Sequence, residues 1–300
     1  MSRITNLQSS GPPPIPSPFS GQIRSPGQFF SRDGVVFDEL ERAIRRHLFQ
    51  HILPSTMDRA ERFLVIQGEP GTGKTVAACD ASLRYGFTVA LLPAAMLASE
   101  HEGGASAVLD DFMRHIVGQS VARKQRFCVV ADDFDLSIVG IDDKTGKTIN
   151  SNLVGQRLQA LADTGEYRNW DGSGIPVIFT GNDFTHFRAS LFRDGRATWF
   201  THAPSHDEKT QIAFHLLRPR TLEERKLVEK LARTYRNEAV AFWQSVRNDL
   251  NKARLDEIIG LGLPDVDAAE AELAKPRPID VQRLVAVATS RAKTKALSFL

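Results

Sequence analysis

Three short stretches of this chain carry residue types whose spacing could do chemistry. In "GEPGTGKT", residues 68–75, three glycines and a lysine–threonine pair fit G-x-x-x-x-G-K-[ST] at every required position. Glycine allows the positive-φ turns that aim successive backbone N–H groups inward at an anion. A helix beginning near Gly73 adds the positive end of its dipole. Gly68, Glu69, Pro70, Gly71, Thr72, Gly73, Lys74, Thr75 and Val76 therefore read as a cradle for a nucleotide's phosphates. In it Lys74 neutralises the β- and γ-phosphates and the Thr75 hydroxyl ligates Mg²⁺. The second stretch, "RFCVVADDFD", ends an apolar run on Asp132 and Asp133. Asp132 is placed to anchor the Mg²⁺ water shell and Asp133 to polarise an attacking water. The third, "IPVIFTGND", ends on Thr180-Gly-Asn182, where Asn182 can position that water between the γ-phosphate and the acid pair.

Each stretch needs a strand to deliver it. "FLVIQ" precedes the glycines and "VAACDASLRYG" continues from them as a helix. With "FTVALL", "RFCVVA", "IPVIFT" and "ATWF", the apolar runs alternate with helix-like segments, which predicts a parallel sheet with helices on both faces. Phe37, Leu40, Ile44, Leu48 and Ile52 recur at threes and fours, a helix that Pro54 stops. Ser205 and Glu208, then Thr221 and Glu224, have capping-box spacing. Beyond them the sequence shows amphipathic helices alone: 222–235, 239–250 and 279–292. The fold class expected is α/β, a P-loop nucleoside-triphosphatase sheet with flanking helices over residues 33–218, followed by a small all-helical lid over 219–300.

The remainder sets limits. Three hundred residues with 42% apolar and 25% charged residues suffice for a large core. A net charge of +2 offers no global field for nucleic acid. Cys79 and Cys128 sit in apolar runs and read as buried free thiols of a reducing cytosol. No apolar run is long enough to span a membrane, so a soluble, cytoplasmic protein with no membrane partner is expected. Six of the fifteen prolines fall in residues 11–27, and no acidic residue precedes Asp33; residues 1–32 read as a disordered tail, passive or used for docking. His47/His51 and His202/His206 have the i, i+4 spacing of zinc-binding helices. "HLFQH" lacks the Glu that should follow its first His, and Pro204 breaks the second pair, so neither reads as a metal site.

Cradle, acid pair and polar strand end followed by a helical lid resemble an AAA+ ATPase. "IPVIFTGNDFTHFRASLFRDGRATWF" is similar to the sensor strand, "RDGR" segment and last strand of green-type Rubisco activase. "LRYGFTVALLPAAMLASEHEG" and "KTINSNLVGQRLQALAD" resemble that family's two pore-loop regions, with His101, Lys144 and Lys147 in the loops themselves. "VAFWQSVRNDL" and "KPRPIDVQRLVAVA" resemble pieces of its lid. The resemblance implies an ATP-hydrolysing ring of identical subunits, expected to be a hexamer, that pulls on or remodels a client protein. Arg193 and Arg196 would act as arginine fingers on a neighbour's nucleotide, and Arg247 would sense the γ-phosphate from the lid. The sequence departs from the family at the acid pair, which carries Asp133 where ATPases of this type usually have Glu. It departs again at Asp249, where the family has a second lid arginine, and at Lys147, where it has Tyr. The family's N-terminal Rubisco-binding domain has no likeness in residues 1–32. Three readings of the client stand side by side: an unnamed protein, Rubisco inhibited by sugar phosphates, or, as a loader or transposition-type ATPase, DNA.

Overall fold

The structure is a computed structural model that describes residues 19, 22–30, 37–97, 104–139, 149–185, 187, 192–260, 265–275 and 277–297. The pore-loop expectations, with His101, Lys144 and Lys147, lie outside these residues. The five apolar runs form five strands: β2 (Phe63–Gln67), β3 (Thr88–Pro93), β4 (Phe127–Asp132), β5 (Val177–Gly181) and β6 (Ala197–Thr201). All pair in parallel, and with β1 (Ile23–Arg24) the sheet order is β1-β3-β4-β5-β2-β6. β2, which feeds the glycine-rich turn, is therefore flanked by β5 and β6, and the ends of β2, β4 and β5 open on the same edge.

Alternation along the strands divides two cores. Phe63 and Val65 of β2 face one cluster, Leu64 and Ile66 the other, as a period of two requires. The first cluster is closed by α3 (Gly104–Arg123) and α5 (Ile149–Thr164) through Phe112, Ile116 and Leu158. The second is closed by α1 (Asp38–Gln50), whose Leu40, Ile44 and Leu48 form its inner stripe, and by the small residues Ala77, Ala78 and Ala81 of α2 (Lys74–Arg84). His47 and His51 are buried on this side, and His51 Nδ1 donates to the His47 carbonyl at 2.8 Å. Burial keeps both rings neutral, lowering His51 to about 4.

Both capping boxes form, at Ser205/Glu208 and at Thr221/Glu224, starting α6 (His206–Leu217) and α7 (Leu222–Thr234). Glu224 also accepts the Ile279 N–H at 3.1 Å, tying the start of α7 to the approach of α10 (Val281–Leu297). α8 (Val240–Gly260) runs ten residues past the expected end at Leu250, and α9 (Val266–Ala274) has no counterpart in the sequence reading. Trp243, Val246, Val228, Leu231 and Leu284 fill the helical core. α6 is shared: Ile212 packs toward the sheet and Ala213 into the helical cluster. The helical cluster thus begins before residue 219.

The expectation of disorder through residue 32 is corrected for residues 22–30. β1 pairs antiparallel with β3, Ile23 opposite Ala90, and Phe19 and Ile23 are buried in the first core. Phe19 meets the Phe112 ring edge-on at 5.3 Å, and Phe30 N–H donates to buried Asp80 at 2.7 Å. Proline-rich composition describes the stretch on average, but two apolar side chains at the right register suffice to cap an exposed strand edge. Deleting residues 1–30 should lower stability by about 3 kcal/mol or more, the scale of losing two buried apolar side chains. A denaturant midpoint equal to that of the full chain would show that the strap contributes nothing.

Candidate functional site

The glycine-rich turn follows β2 directly. Gly68, Gly71 and Gly73 all have positive φ, and Gly73, left-handed at +87°, is the residue from which α2 starts. Lys74, the first residue of α2, is only 6% exposed. Its ammonium has three N–H groups, and the chain supplies three acceptors: Gly68 O at 2.8 Å, Glu69 O at 2.8 Å and Asn182 Oδ1 at 3.1 Å. Burial pulls the Lys74 pKa down, while Asp133, Asp135 and Asp132 pull it back up. One side chain thus joins the end of β2 to the end of β5.

The acid pair closes the third side. Asp132 Oδ1 accepts from the Thr75 hydroxyl and from Thr180 Oγ1 at 3.0 Å, which fixes the carboxylate's orientation beside the first turn of α2. Asp133 has φ +48°, a left-handed conformation uncommon outside glycine, and α4 (Phe134–Val139) begins at the next residue. The Asp133 side chain is exposed, and its pKa is raised by partial burial and by the neighbouring Asp132 and Asp135 carboxylates. A carboxylate raised by its neighbours in this way marks a negative pocket that a divalent cation would relieve. A hydroxyl and an oriented carboxylate suit Mg²⁺, which keeps most of its ligands as water and phosphate oxygen. Among the described residues no group of three or more His, Cys, Asp or Glu is arranged to hold a metal by itself.

Behind the turn stands His202, a residue the sequence reading weighed only as half of a metal pair. It is 3% exposed and its ring lies tilted against Phe37, with centroids 4.6 Å apart. Its backbone N–H donates to Gln67 O at 2.7 Å, and its Nε2 lies 3.1 Å from Thr72 O. A carbonyl can only accept, so Nε2 carries the proton. Burial lowers the His202 pKa and nearby Lys74 lowers it further, which keeps the ring neutral under the cradle. The lid meets the turn's outer side, where Ala241 N–H at the start of α8 donates to Gly71 O at 2.9 Å. Arg247 lies on the same helix, half-buried, ~9 Å along its axis from Ala241. Asp249 forms a two-point ion pair with Arg291 of α10.

The two expected finger residues occupy different environments. Arg193 is exposed and makes no side-chain ion pair among the described residues. Arg196 is bound through two nitrogens to Asp163 at the end of α5, at 2.8 and 2.6 Å. Between them and Asn182 lies an aromatic cluster in which Phe192 meets Phe179, Phe184, Phe187 and Trp199 at 5.3–5.8 Å. It packs Phe192, next to Arg193, against Phe179 of β5. The sequence signal for it was the density of Phe between residues 179 and 200.

No protein-family model matches the chain. Among curated proteins it is 28% identical over 220 residues to the ribulose bisphosphate carboxylase/oxygenase activase of Anabaena sp., covering 71% of this chain and 53% of that protein. It is 26% identical over 209 residues to the chloroplastic activase of Chlamydomonas reinhardtii and 24% identical over 208 residues to that of Zea mays, covering 50% and 48% of those proteins. The crystal structure of the FIGL-1 AAA domain in complex with ADP superposes with a TM-score of 0.60 at 15% identity, covering 90% of this chain and 87% of that one.

The chain has the fold of an AAA domain and resembles Rubisco activase over about 70% of its length.

The chain spans about half the length of the curated relatives it matches. No described helix is long and apolar enough to cross a membrane. The tightest constraint in its site is at Gly68, where an added Cβ would stand 2.2 Å from His202 O. Gly68→Ala should therefore shift the turn and weaken ATP binding about tenfold or more, given a strain on the order of 1–3 kcal/mol. Gly172→Ala, also at a positive φ (+79°) but in open space and away from the turn, should leave ATP affinity unchanged. Calorimetric titration of both variants checks this. Equal affinities would show that the turn tolerates displacement.

Proposed function

We propose that this chain binds and hydrolyses ATP with Mg²⁺ as a subunit of a homo-oligomeric ring, a hexamer on the AAA+ pattern, and uses the cycle to remodel a partner protein. The observation that carries the reading is the convergence on buried Lys74: carbonyls from the β2 turn, Asn182 from β5, and the carboxylates that end β4. In this role Lys74 exchanges its chain acceptors for the β- and γ-phosphate oxygens, and the backbone N–H groups of residues 71–75 hold the remaining charge. Thr75 and Asp132 hold Mg²⁺, which supplies charge neutralisation at the transferring phosphoryl group. Asp133 orients the attacking water and draws on its proton, and Asn182 fixes the water from the other side. Asp133 is one methylene shorter than the usual glutamate, which favours slow turnover.

Arg193, exposed and unpaired within its chain's described residues, is the group best placed to reach a neighbour's γ-phosphate. Arg196 joins it only by leaving Asp163, so its engagement would mark the closed interface. The start of α8 touches the phosphate turn through Gly71, which gives the lid, with Arg247 on it, a route for sensing the nucleotide. The curated relatives favour Rubisco as the client, since all three are ribulose bisphosphate carboxylase/oxygenase activases. Nucleic acid has no comparable support from this near-neutral chain.

Two assays test the reading. Lys74→Ala should lose ATP hydrolysis while keeping its fold, and Arg193→Ala should bind ATP but hydrolyse it slowly, by a factor on the order of 10³. Mixing the two variants should restore activity, because Lys74→Ala subunits still present intact fingers to the Arg193→Ala sites. Mixed rings that form yet stay inactive would show that the arginines do not act across an interface. Rubisco inhibited by a tight-binding sugar phosphate should regain carboxylation when the protein and ATP are added. ATP hydrolysis without such recovery would leave a different client protein.

A further inference from the structure

A third carboxylate stands at the site without a role in the chemistry above. Asp135, in the first turn of α4, is 5% exposed. Its Oδ2 accepts the backbone N–H of Asn182 at 2.9 Å and that of Asp183 at 3.3 Å. Its Oδ1 is buried with no hydrogen-bond partner. That oxygen fills the space beside Gly181, where an added Cβ would lie 2.5 Å from it and 2.7 Å from the Phe184 ring. Gly181 leaves room for the carboxylate, and the carboxylate holds the two N–H groups that follow. Phe134 and Phe184 bracket the arrangement from the core, both 0–1% exposed.

A buried carboxylate with one orphaned oxygen is costly, and nothing in the packing demands an acid there. Two adjacent N–H groups on one oxygen do set the direction of the chain as it leaves β5. That direction decides where the Asn182 amide points, and it now points at Lys74, 3.1 Å away. We propose that Asp135 is the positioning residue for Asn182: it clamps the turn after β5 so that the Asn182 side chain stays within reach of Lys74 and of the phosphate end that Lys74 holds. Asp135 follows Asp133 by two residues on the same turn of chain, so the clamp also locks the acid pair and the polar sensor into one rigid unit. Asp135 touches neither substrate nor water in this account. It acts through Asn182. The inference rests on the proposed ATPase activity.

The test uses the full chain and steady-state ATP hydrolysis. Asp135→Ala leaves the Asn182 and Asp183 N–H groups without their acceptor. It should lower kcat about 10²-fold, the cost of a displaced catalytic group, while KM for ATP changes less than about threefold. Asn182→Ala should show the same split, and the double variant should be no slower than either single one, because both remove one function. Asp135→Asn keeps an oxygen facing the two N–H groups and should retain turnover within about threefold. Should Asp135→Ala fail to fold by circular dichroism, Gly181→Ala takes its place, since its methyl group displaces the same carboxylate. Undiminished kcat in Asp135→Ala or Gly181→Ala would overturn the proposal. So would a large loss in Asp135→Asn, which would give the charge itself a part, or additive losses in the double variant. A wild-type chain without ATP hydrolysis would refute the ATPase reading instead, a separate outcome read before any variant.

Discussion

The ammonium of Lys74 is a positive charge held almost out of water at the end of a parallel sheet, and the fold around it is arranged to make that tolerable. Its three protons meet three acceptors drawn from two strands, and three carboxylates stand close enough to hold it charged. None of these partners is adequate alone. The carbonyls need the positive-φ turn to face inward, the turn needs the His202 backbone against Gly68, and Asn182 needs the strand pairing of β2 with β5. A fully satisfied buried charge is stable but poised. A ligand that brings several oxygens to the same place can replace these acceptors without leaving a proton unpaired.

That arrangement explains how distant parts of the chain converge on one point. The aromatic cluster around Phe192 packs the neighbour of Arg193 against β5, the strand that leads into Asn182. On the other side, Ala241 bonds to Gly71, and Asp249 ties α8 to α10 through Arg291. Under the proposed ATPase reading, a displacement of the turn at residues 68–75 would reach, through that bond, a helical cluster whose own core is closed by Trp243. Rigid elements joined at a few polar points are what a nucleotide-driven change of shape requires.

The sequence made the local chemistry legible because that chemistry is local. Glycine at forced φ, a lysine opening a helix, apolar runs ending in acid, and the two capping boxes each depend on neighbours within a few residues, and each is found where expected. What escaped depends on partners far along the chain. Phe19 and Ile23 sit in a proline-rich stretch, and only the free edge of β3 makes them core residues. His202 looked like half of a histidine pair until the turn at Gly68 was folded against it. Asp135 was the last letter of an acidic run, and its bonds to Asn182 and Asp183 cross 47 and 48 residues. The length of α8 was missed because its outer turns carry a mixed polar pattern, so periodicity faded before the helix did.

On this reading the Lys74 cradle is built for the phosphate chain of a nucleotide. Calorimetric titration of the full protein with ATP, ADP and AMP in the presence of Mg²⁺ tests it most directly. ATP and ADP should bind, and AMP should bind about a hundredfold more weakly, since it forgoes charge-assisted contacts worth on the order of 3 kcal/mol. AMP binding as tightly as ATP, or no binding of ATP at all, would contradict the account.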